Sequence, residues 1–199
     1  MSEIDNEKVQ EAINDPKILA KLFEDILSKD DNVRYPSFKT LLKISEDNPE
    51  VLYPRWDFFV DLISSYNSYK KLIGLRIIAN LTKVDTENKF EKIFYIYYRI
   101  LNDFRTMTAG HIAGNSGKIA KAKPNLQVKI TEKLLNIDNT HTGRQKELIK
   151  AYAIEAFDEY YEEVKDKKKI NDFIKKQLDS ESPKTRKKAK EFLEKWKIE

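Results

Sequence analysis

Amphipathic helical patterns recur along this chain at a nearly constant interval. Five similar apolar segments end at Ile44, Leu81, Ile119, Phe157 and Trp196, which follow one another at steps of 37, 38, 38 and 39 residues. Between breaks rich in Asp, Asn, Ser or Pro, the apolar residues keep the spacing of one helix face. Such a period, with two helices in each repeat, predicts helix pairs that bury their apolar faces by stacking on one another.

Breaks in the pattern define the predicted helix pairs. At Asp15-Pro16 and Ser182-Pro183, a capping side chain precedes a proline suited to the first helical position. With only five glycines and six prolines, the chain lacks the residues for many tight β-turns. We therefore predict an all-α solenoid of about five helical hairpins, folded as a single domain over 1–199. Its pairs span residues 16–48, 50–84, 87–123, 125–163 and 167–198, after an N-terminal extension at 1–15.

Two segments resemble a known repeat. DDNVRYPSFKTLLKISEDNPEVL at 30–52 carries Asn32, Val33 and Arg34, followed by a small residue and a Leu/Ile face, and SPKTRKKAKEFLEKW at 182–196 ends the last pair. They resemble the opening phrase and the closing helix of a HEAT repeat, and the period extends this resemblance over nearly the whole chain. The middle pairs lack the Val-Arg phrase. The resemblance implies an α-solenoid, in a family of mostly protein-binding scaffolds, some of which grip DNA.

Composition excludes several kinds of chemistry. The chain has no cysteine, which rules out disulfides, thiolate zinc sites, iron–sulfur clusters and cysteine nucleophiles. Its acidic N-terminal segment has no apolar run typical of a secretion signal, and no stretch approaches 18 apolar residues. We expect a soluble, cytoplasmic protein.

The residues needed for catalysis do not come together in the sequence. Only His111 and His141 are available as histidine bases or metal ligands, and His141, in the loop DNTHTGR, reads as a solvated turn residue. GNSGK at 114–118 fails as a phosphate-binding loop because Ile119 follows the lysine and no strand precedes it. We expect no catalytic residues, no metal, no cofactor and no enzymatic activity.

The segment 108–124 holds three of the five glycines and is predicted to be helical. Gly110, Gly114 and Gly117 form one stripe beside an apolar face of small residues, and three polar residues form another stripe. Since glycine in a helix costs about 1 kcal/mol relative to alanine, something should offset these glycines. Close packing of neighbouring helices is the favoured reason, and a shallow groove for a ligand is the alternative. The polar stripe consists of His111, Asn115 and Lys118.

Basic residues concentrate in the second helices of the second and third pairs. Residues 68–84 and 104–123 each contain four basic residues and no acidic ones. Second helices usually line the concave side of a solenoid, so a basic trough is expected there. Together with the polar stripe, these residues form the predicted binding surface: Lys70, Lys71, Arg76, Lys83, Arg105, His111, Asn115, Lys118 and Lys121.

These patterns favour a non-enzymatic scaffold whose concave face binds another protein, preferably through an acidic segment. The alternative is a nucleic-acid-binding protein that uses the same basic trough. An enzyme similar to the HEAT-like DNA alkylation glycosylases is a weaker third hypothesis. Those enzymes use exposed tryptophans near an aspartate, whereas Trp56, beside Asp57, is expected to pack inward and Trp196 belongs to another pair.

Overall fold

The computed structural model describes residues 6–199, and in that range the chain forms helices and turns without any strand. The predicted all-α class is confirmed. None of the described helices is both long enough and apolar enough to cross a membrane. The chain divides into two compact units, Met1–Glu87 and Asn88–Glu199. The single-domain organisation stays a prediction, and each unit is described separately below.

In unit 1, one described helix lies in the predicted N-terminal extension, and the others cover most of the first two predicted pairs. Short 3-10 turns at Tyr53–Arg55 and Thr82–Val84 extend the main helices. The helices are α1 (Asn6–Asn14), α2 (Pro16–Asp25), α3 (Asp31–Asp47), α4 (Pro49–Leu52), α5 (Trp56–Ile63) and α6 (Ser68–Leu81).

Unit 2 matches the last three predicted pairs. Helix α8 confirms that the glycine-containing segment is helical. The helices are α7 (Lys89–Arg99), α8 (Thr106–Ala122), α9 (Gln127–Leu135), α10 (Ile137–Thr140), α11 (Lys146–Tyr160), α12 (Lys168–Lys176) and α13 (Pro183–Trp196).

The capping residues expected from the sequence begin their helices. The Asp15 side chain accepts a hydrogen bond from the Lys17 amide at 2.8 Å, and Ser182 accepts one from the Thr185 amide at 3.3 Å. In both cases a proline occupies the first helical position. The N–H of that position makes no hydrogen bond within a helix, so the helix loses none through the proline. Side-chain caps thus fix the starts of α2 and α13.

In unit 1, α3 and α6 pack side by side, and α5 packs against α6. A buried hydrogen bond of 2.9 Å from Asn80 to Ser45 joins α3 and α6 across 35 residues of sequence. Glycine allows the α5–α6 contact, because a Cβ added at Gly74 would lie 2.6 Å from the Phe59 carbonyl oxygen. Trp56 is buried in this core, as expected.

In unit 2, α11 packs against α8 on one side and α13 on the other. Hydrogen bonds join residues that lie 38 positions apart, from Trp196 to Asp158 at 2.8 Å and from the Thr185 hydroxyl to the Glu147 carbonyl at 2.6 Å. Residues separated by 38 positions therefore contact each other between α11 and α13.

Most of the large aromatic residues in the described part of the chain fill the cores. In unit 2, Tyr98 donates to Ser116 at 3.0 Å, and the hydroxyl groups of Tyr160 and Thr131 lie 2.9 Å apart. Burial raises the pKa of both tyrosines, since the phenolate form would lose its hydration there. These side chains form the core and offer no surface to a ligand.

The glycines of α8 lie where α11 comes closest. A Cβ added at Gly117 would lie 2.8 Å from the Ala156 carbonyl oxygen, and one at Gly110 would lie 3.0 Å from the Tyr152 ring. The adjoining small-residue face of α8 is fully buried, at Ala109, Ile112, Ala113, Ser116, Ile119 and Ala120. The favoured reason for the glycines, close helix packing, is therefore correct for Gly110 and Gly117.

The prediction that His141 is a solvated turn residue is wrong. Its side chain is buried, and Nδ1 lies 2.8 Å from the carbonyl oxygen of Leu101, which can accept its proton. Nε2 has no hydrogen-bond partner among the described residues and lies 2.7 Å from where a Cβ at Gly143 would be. Glycine at 143 lets the loop fold onto the imidazole, and the acceptor is 40 residues away in sequence.

Two alanine substitutions in α8 should have opposite effects on stability. Gly117→Ala should lower the free energy of unfolding by about 1–3 kcal/mol, because the new methyl group meets an immobile backbone carbonyl. Gly114→Ala should raise it by up to about 1 kcal/mol through better helix propensity, since a Cβ there would lie 3.9 Å from its nearest neighbour. Urea unfolding of both variants tests this, and equal effects would contradict the described α8–α11 contact.

Candidate binding surface

Four predicted binding residues lie at α6 in unit 1. Lys70, Lys71 and Arg76 are half-buried, whereas Lys83 is exposed in the turn that follows the helix and donates to the Glu46 carbonyl at 3.4 Å. Most of the remaining α6 surface is buried. These cations therefore provide much of what α6 presents to solvent.

A cleft of about 330 Å³ opens between α3 and α6 in unit 1. We call it the α3–α6 cleft. Its lining is mainly apolar, with polar groups at Asp31, Asn32 and Arg34. Its apolar and aromatic lining residues are Tyr35 and Phe38 from α3 and Tyr69, Leu72 and Ile73 from α6.

Arg34 holds one wall of the α3–α6 cleft in place. Its guanidinium lies 4.4 Å from the centre of the Tyr69 ring, pairs with the Asp31 carboxylate and donates to the Ser28 carbonyl at 3.3 Å. The stacked contact is a cation–π interaction, and the guanidinium is also satisfied by hydrogen bonds. Arg34 is therefore built into the cleft wall, and its charge is offset by Asp31.

Two further cations lie against aromatic rings of the α3–α6 cleft. The Arg76 guanidinium lies 5.8 Å from the centre of the Phe38 ring, and the Lys39 ammonium lies 5.9 Å from that of Tyr35. The cleft therefore combines an apolar interior with cations at its edge.

Sequence reasoning missed the two tyrosines of the α3–α6 cleft. Tyr35 and Tyr69 are each 59% exposed, whereas most of the large aromatic residues in the described part of the chain are buried. Tyr35 stands one turn before Lys39 on the polar side of α3, and Tyr69 lies in the first turn of α6, ahead of the apolar run that begins at Leu72. Those positions were the signal that could have identified them.

The other five predicted binding residues lie in unit 2, at or just before α8. Arg105 precedes the helix and is exposed, as is Lys121, while the stripe of His111, Asn115 and Lys118 is half-buried. Asn115 also hydrogen-bonds the buried Tyr97 side chain. Part of the polar stripe thus contributes to packing within the unit.

A carboxylate interrupts the basic surface of α8. The Glu159 side chain of α11 lies over Gly117, with Cδ 2.7 Å from the position that a Cβ would take. Partial loss of hydration raises the pKa of Glu159, and the nearby Lys118 and Lys121 oppose that rise. The α8 surface is therefore mixed in charge where it meets α11.

Several basic residues of α13 are paired with carboxylates inside unit 2. Lys195 contacts the Asp158 carboxylate at 2.8 Å, and Lys184 and Lys188 lie 3.6 and 3.5 Å from Glu155. These carboxylates belong to α11, the one acidic second helix of the unit. The basic C-terminal helix therefore neutralises its neighbour through these three lysines.

A charge cluster around the buried Lys150 ties α11 to neighbouring segments. The Lys150 ammonium lies 2.8 Å from Asp138 and 2.6 Å from Glu147, and Ser180 donates to Glu147 at 2.6 Å. Burial alone would raise the pKa of Glu147, but the bonds from Lys150 and Ser180 outweigh it, so this pKa is lowered. Burial alone would lower the pKa of Lys150, but its two carboxylate partners outweigh this effect and raise the pKa. Lys146 lies 3.9 Å from Asp138, so two lysines face two carboxylates, which suits a structural role.

No group of three or more His, Asp or Glu residues within 6–199 is arranged to hold a metal ion. Comparisons of the chain with protein-family models, with curated proteins and with solved structures find no match. Membership of the HEAT family therefore stays a prediction, and an assignment of function has to come from the geometry of the surface.

Replacing the carboxylate at the centre of the cluster should destabilise unit 2 in a pH-dependent way. Glu147→Gln should lower the free energy of unfolding by about 1–3 kcal/mol at pH 7, because Lys150 loses a charged partner. Since the folded-state pKa lies below the ordinary 4.5, this contribution is present above pH 4.5 and is lost as the pH falls through the folded value.

Urea unfolding between pH 3 and 7 measures this difference, with Glu191→Gln as the control. Glu191 is a largely exposed carboxylate that also pairs with a lysine, so its replacement should have less effect. A difference between wild type and Glu147→Gln that does not change with pH would contradict the assigned role of the carboxylate.

Proposed function

We propose that this chain is a non-enzymatic scaffold that binds another protein. In this proposal the helix pairs form a HEAT-like solenoid, and the second helices provide the binding surface. The observation that carries the proposal is the α3–α6 cleft, an apolar depression with Tyr35 and Tyr69 exposed at its sides. The residue-level resemblance to HEAT repeats covers α3, which forms one side of this cleft.

The composition of the α3–α6 cleft supports a protein partner. Tyrosine and arginine are enriched where proteins bind one another, and the strongest contributions come from side chains that fill well-packed pockets. The cleft volume of about 330 Å³ lies at the lower end of the range for small-molecule sites. It suits a few anchoring side chains of a larger partner.

Nucleic acid is the alternative partner, and the basic residues of α6 and α8 favour it. The carboxylate of Glu159, beside Lys118 and Lys121, argues against a phosphate backbone at α8. At the α3–α6 cleft the lining is mainly apolar, and its lining cation Arg34 is already paired with Asp31. A glycosylase-like activity gains no support, since Trp56 is buried in the core of unit 1.

Loss of the cleft tyrosines should remove partner binding. In affinity capture from cell extract, the wild-type chain should retain a defined protein, and Tyr35→Ala with Tyr69→Ala should reduce that retention at least about tenfold, as for residues that dominate an interface. Tyr66→Ala is the matched control, because Tyr66 is fully exposed in the same unit and does not line the cleft. Quantitative mass spectrometry measures the retained protein.

Two outcomes would contradict this proposal. In one, the same proteins are captured by all variants, so the cleft has no part in binding. In the other, capture is abolished by nuclease, and the purified chain binds a labelled oligonucleotide with an affinity that falls steeply with salt. The second outcome would establish the nucleic-acid alternative instead.

A further inference from the structure

We infer that the α3–α6 cleft recognises an acidic segment in which an apolar side chain stands close to a carboxylate. This inference rests on the proposed protein-binding function and names the chemistry of the partner. The apolar side chain would occupy the cleft, and Arg76 would receive the carboxylate.

The interior of the α3–α6 cleft selects for an apolar anchor. Phe38 and Ile73 are almost completely buried at its base, while Tyr35 and Tyr69 extend into solvent at its sides. A side chain inserted between the two tyrosines would exchange water for contact with aromatic and aliphatic groups. Such exchange is favourable roughly in proportion to the apolar area that is buried.

Arg76 is suited to receive a carboxylate. Its side chain is half-buried and stacks on Phe38, and it makes no ion pair with any carboxylate of the described residues. A guanidinium has five N–H donors in a planar fork that matches two carboxylate oxygens. Because its stem is already packed on the ring, little side-chain freedom remains to be lost on binding.

Charge around the α3–α6 cleft favours the same partner. Residues 68–84 contain four basic residues and no acidic ones, and Lys70 directly follows Tyr69. The carboxylate of Asp31, which also lines the cleft, is already paired with Arg34. An acidic segment therefore meets the cation of Arg76, which makes no ion pair with a described carboxylate, and a basic segment would be repelled there.

The distance between the base of the α3–α6 cleft and Arg76 determines how far apart the apolar side chain and the carboxylate stand in the partner. The Arg76 guanidinium lies 5.8 Å from the centre of the Phe38 ring at the base of the cleft. An extended chain advances about 3.3–3.6 Å per residue. We therefore expect the apolar anchor and the carboxylate within about two residues of each other.

Selection from a displayed random peptide library tests this inference without a known partner. Four forms of the full chain serve as bait: wild type, Arg76→Gln, Tyr69→Ala and the control Arg55→Gln. Arg55 is exposed in the same unit, its guanidinium also lies 5.8 Å from the centre of a phenylalanine ring, that of Phe23, and it does not line the α3–α6 cleft. Wild type and Arg55→Gln should enrich peptides that carry Asp or Glu within about two residues of Phe, Tyr, Leu or Ile. Thermal unfolding of each bait identifies any variant that is not folded.

Arg76→Gln should lose the preference for acidic residues and should bind a wild-type-selected peptide about tenfold or more weakly in fluorescence anisotropy, since hydrogen bonds to charged groups are among the stronger ones. Arg76→Lys keeps the charge without the planar fork and should restore part of that affinity. Tyr69→Ala should lose the apolar preference.

The outcomes separate the two proposals. Enrichment of apolar peptides with no acidic preference, or with a preference that survives Arg76→Gln, overturns this inference and leaves the proposed function standing. If wild type enriches no peptide over Tyr69→Ala, the proposed function fails, and this inference fails with it.

Discussion

Some neighbouring helices approach so closely that no side chain fits between their backbones. This close approach determines which side chains each unit can present to solvent. In unit 1, α5 and α6 approach so closely that a Cβ at Gly74 would lie 2.6 Å from a carbonyl oxygen, and Gly117 occupies the same kind of position between α8 and α11. At such separations each helix is buried on most of its surface. On α6 and α8 the residues that are not buried form narrow stripes, and these stripes hold most of the predicted binding residues.

The basic residues of the two units have different structural roles. Arg34 supports the wall of the α3–α6 cleft, and Lys195 neutralises a neighbouring helix. The buried Lys150 joins two carboxylates, those of Asp138 and Glu147. Arg76 packs on an aromatic ring and makes no ion pair with a described carboxylate. A count of basic residues therefore overstates the surface available to an anionic partner, and the position of each charge relative to its neighbours decides its role.

The sequence was sufficient for the helices and insufficient for the details of the surface. Periodicity and caps such as Asp15 located most of the helices, because these signals are local in the chain. His141 was misjudged because its hydrogen-bond partner, the Leu101 carbonyl, is 40 residues away. Tyr35 and Tyr69 were missed because the apolar character of aromatic residues suggested core positions, whereas their exposure depends on how α3 and α6 pack.

The central claim is that the α3–α6 cleft is the binding surface of this protein. The most direct test is NMR titration of the isotope-labelled chain with a library-selected peptide. The account predicts that the largest chemical-shift changes occur at Tyr35, Tyr69 and Arg76, with saturation at a single affinity. Changes confined to α8, or spread evenly over the lysines and abolished by moderate salt, would contradict it.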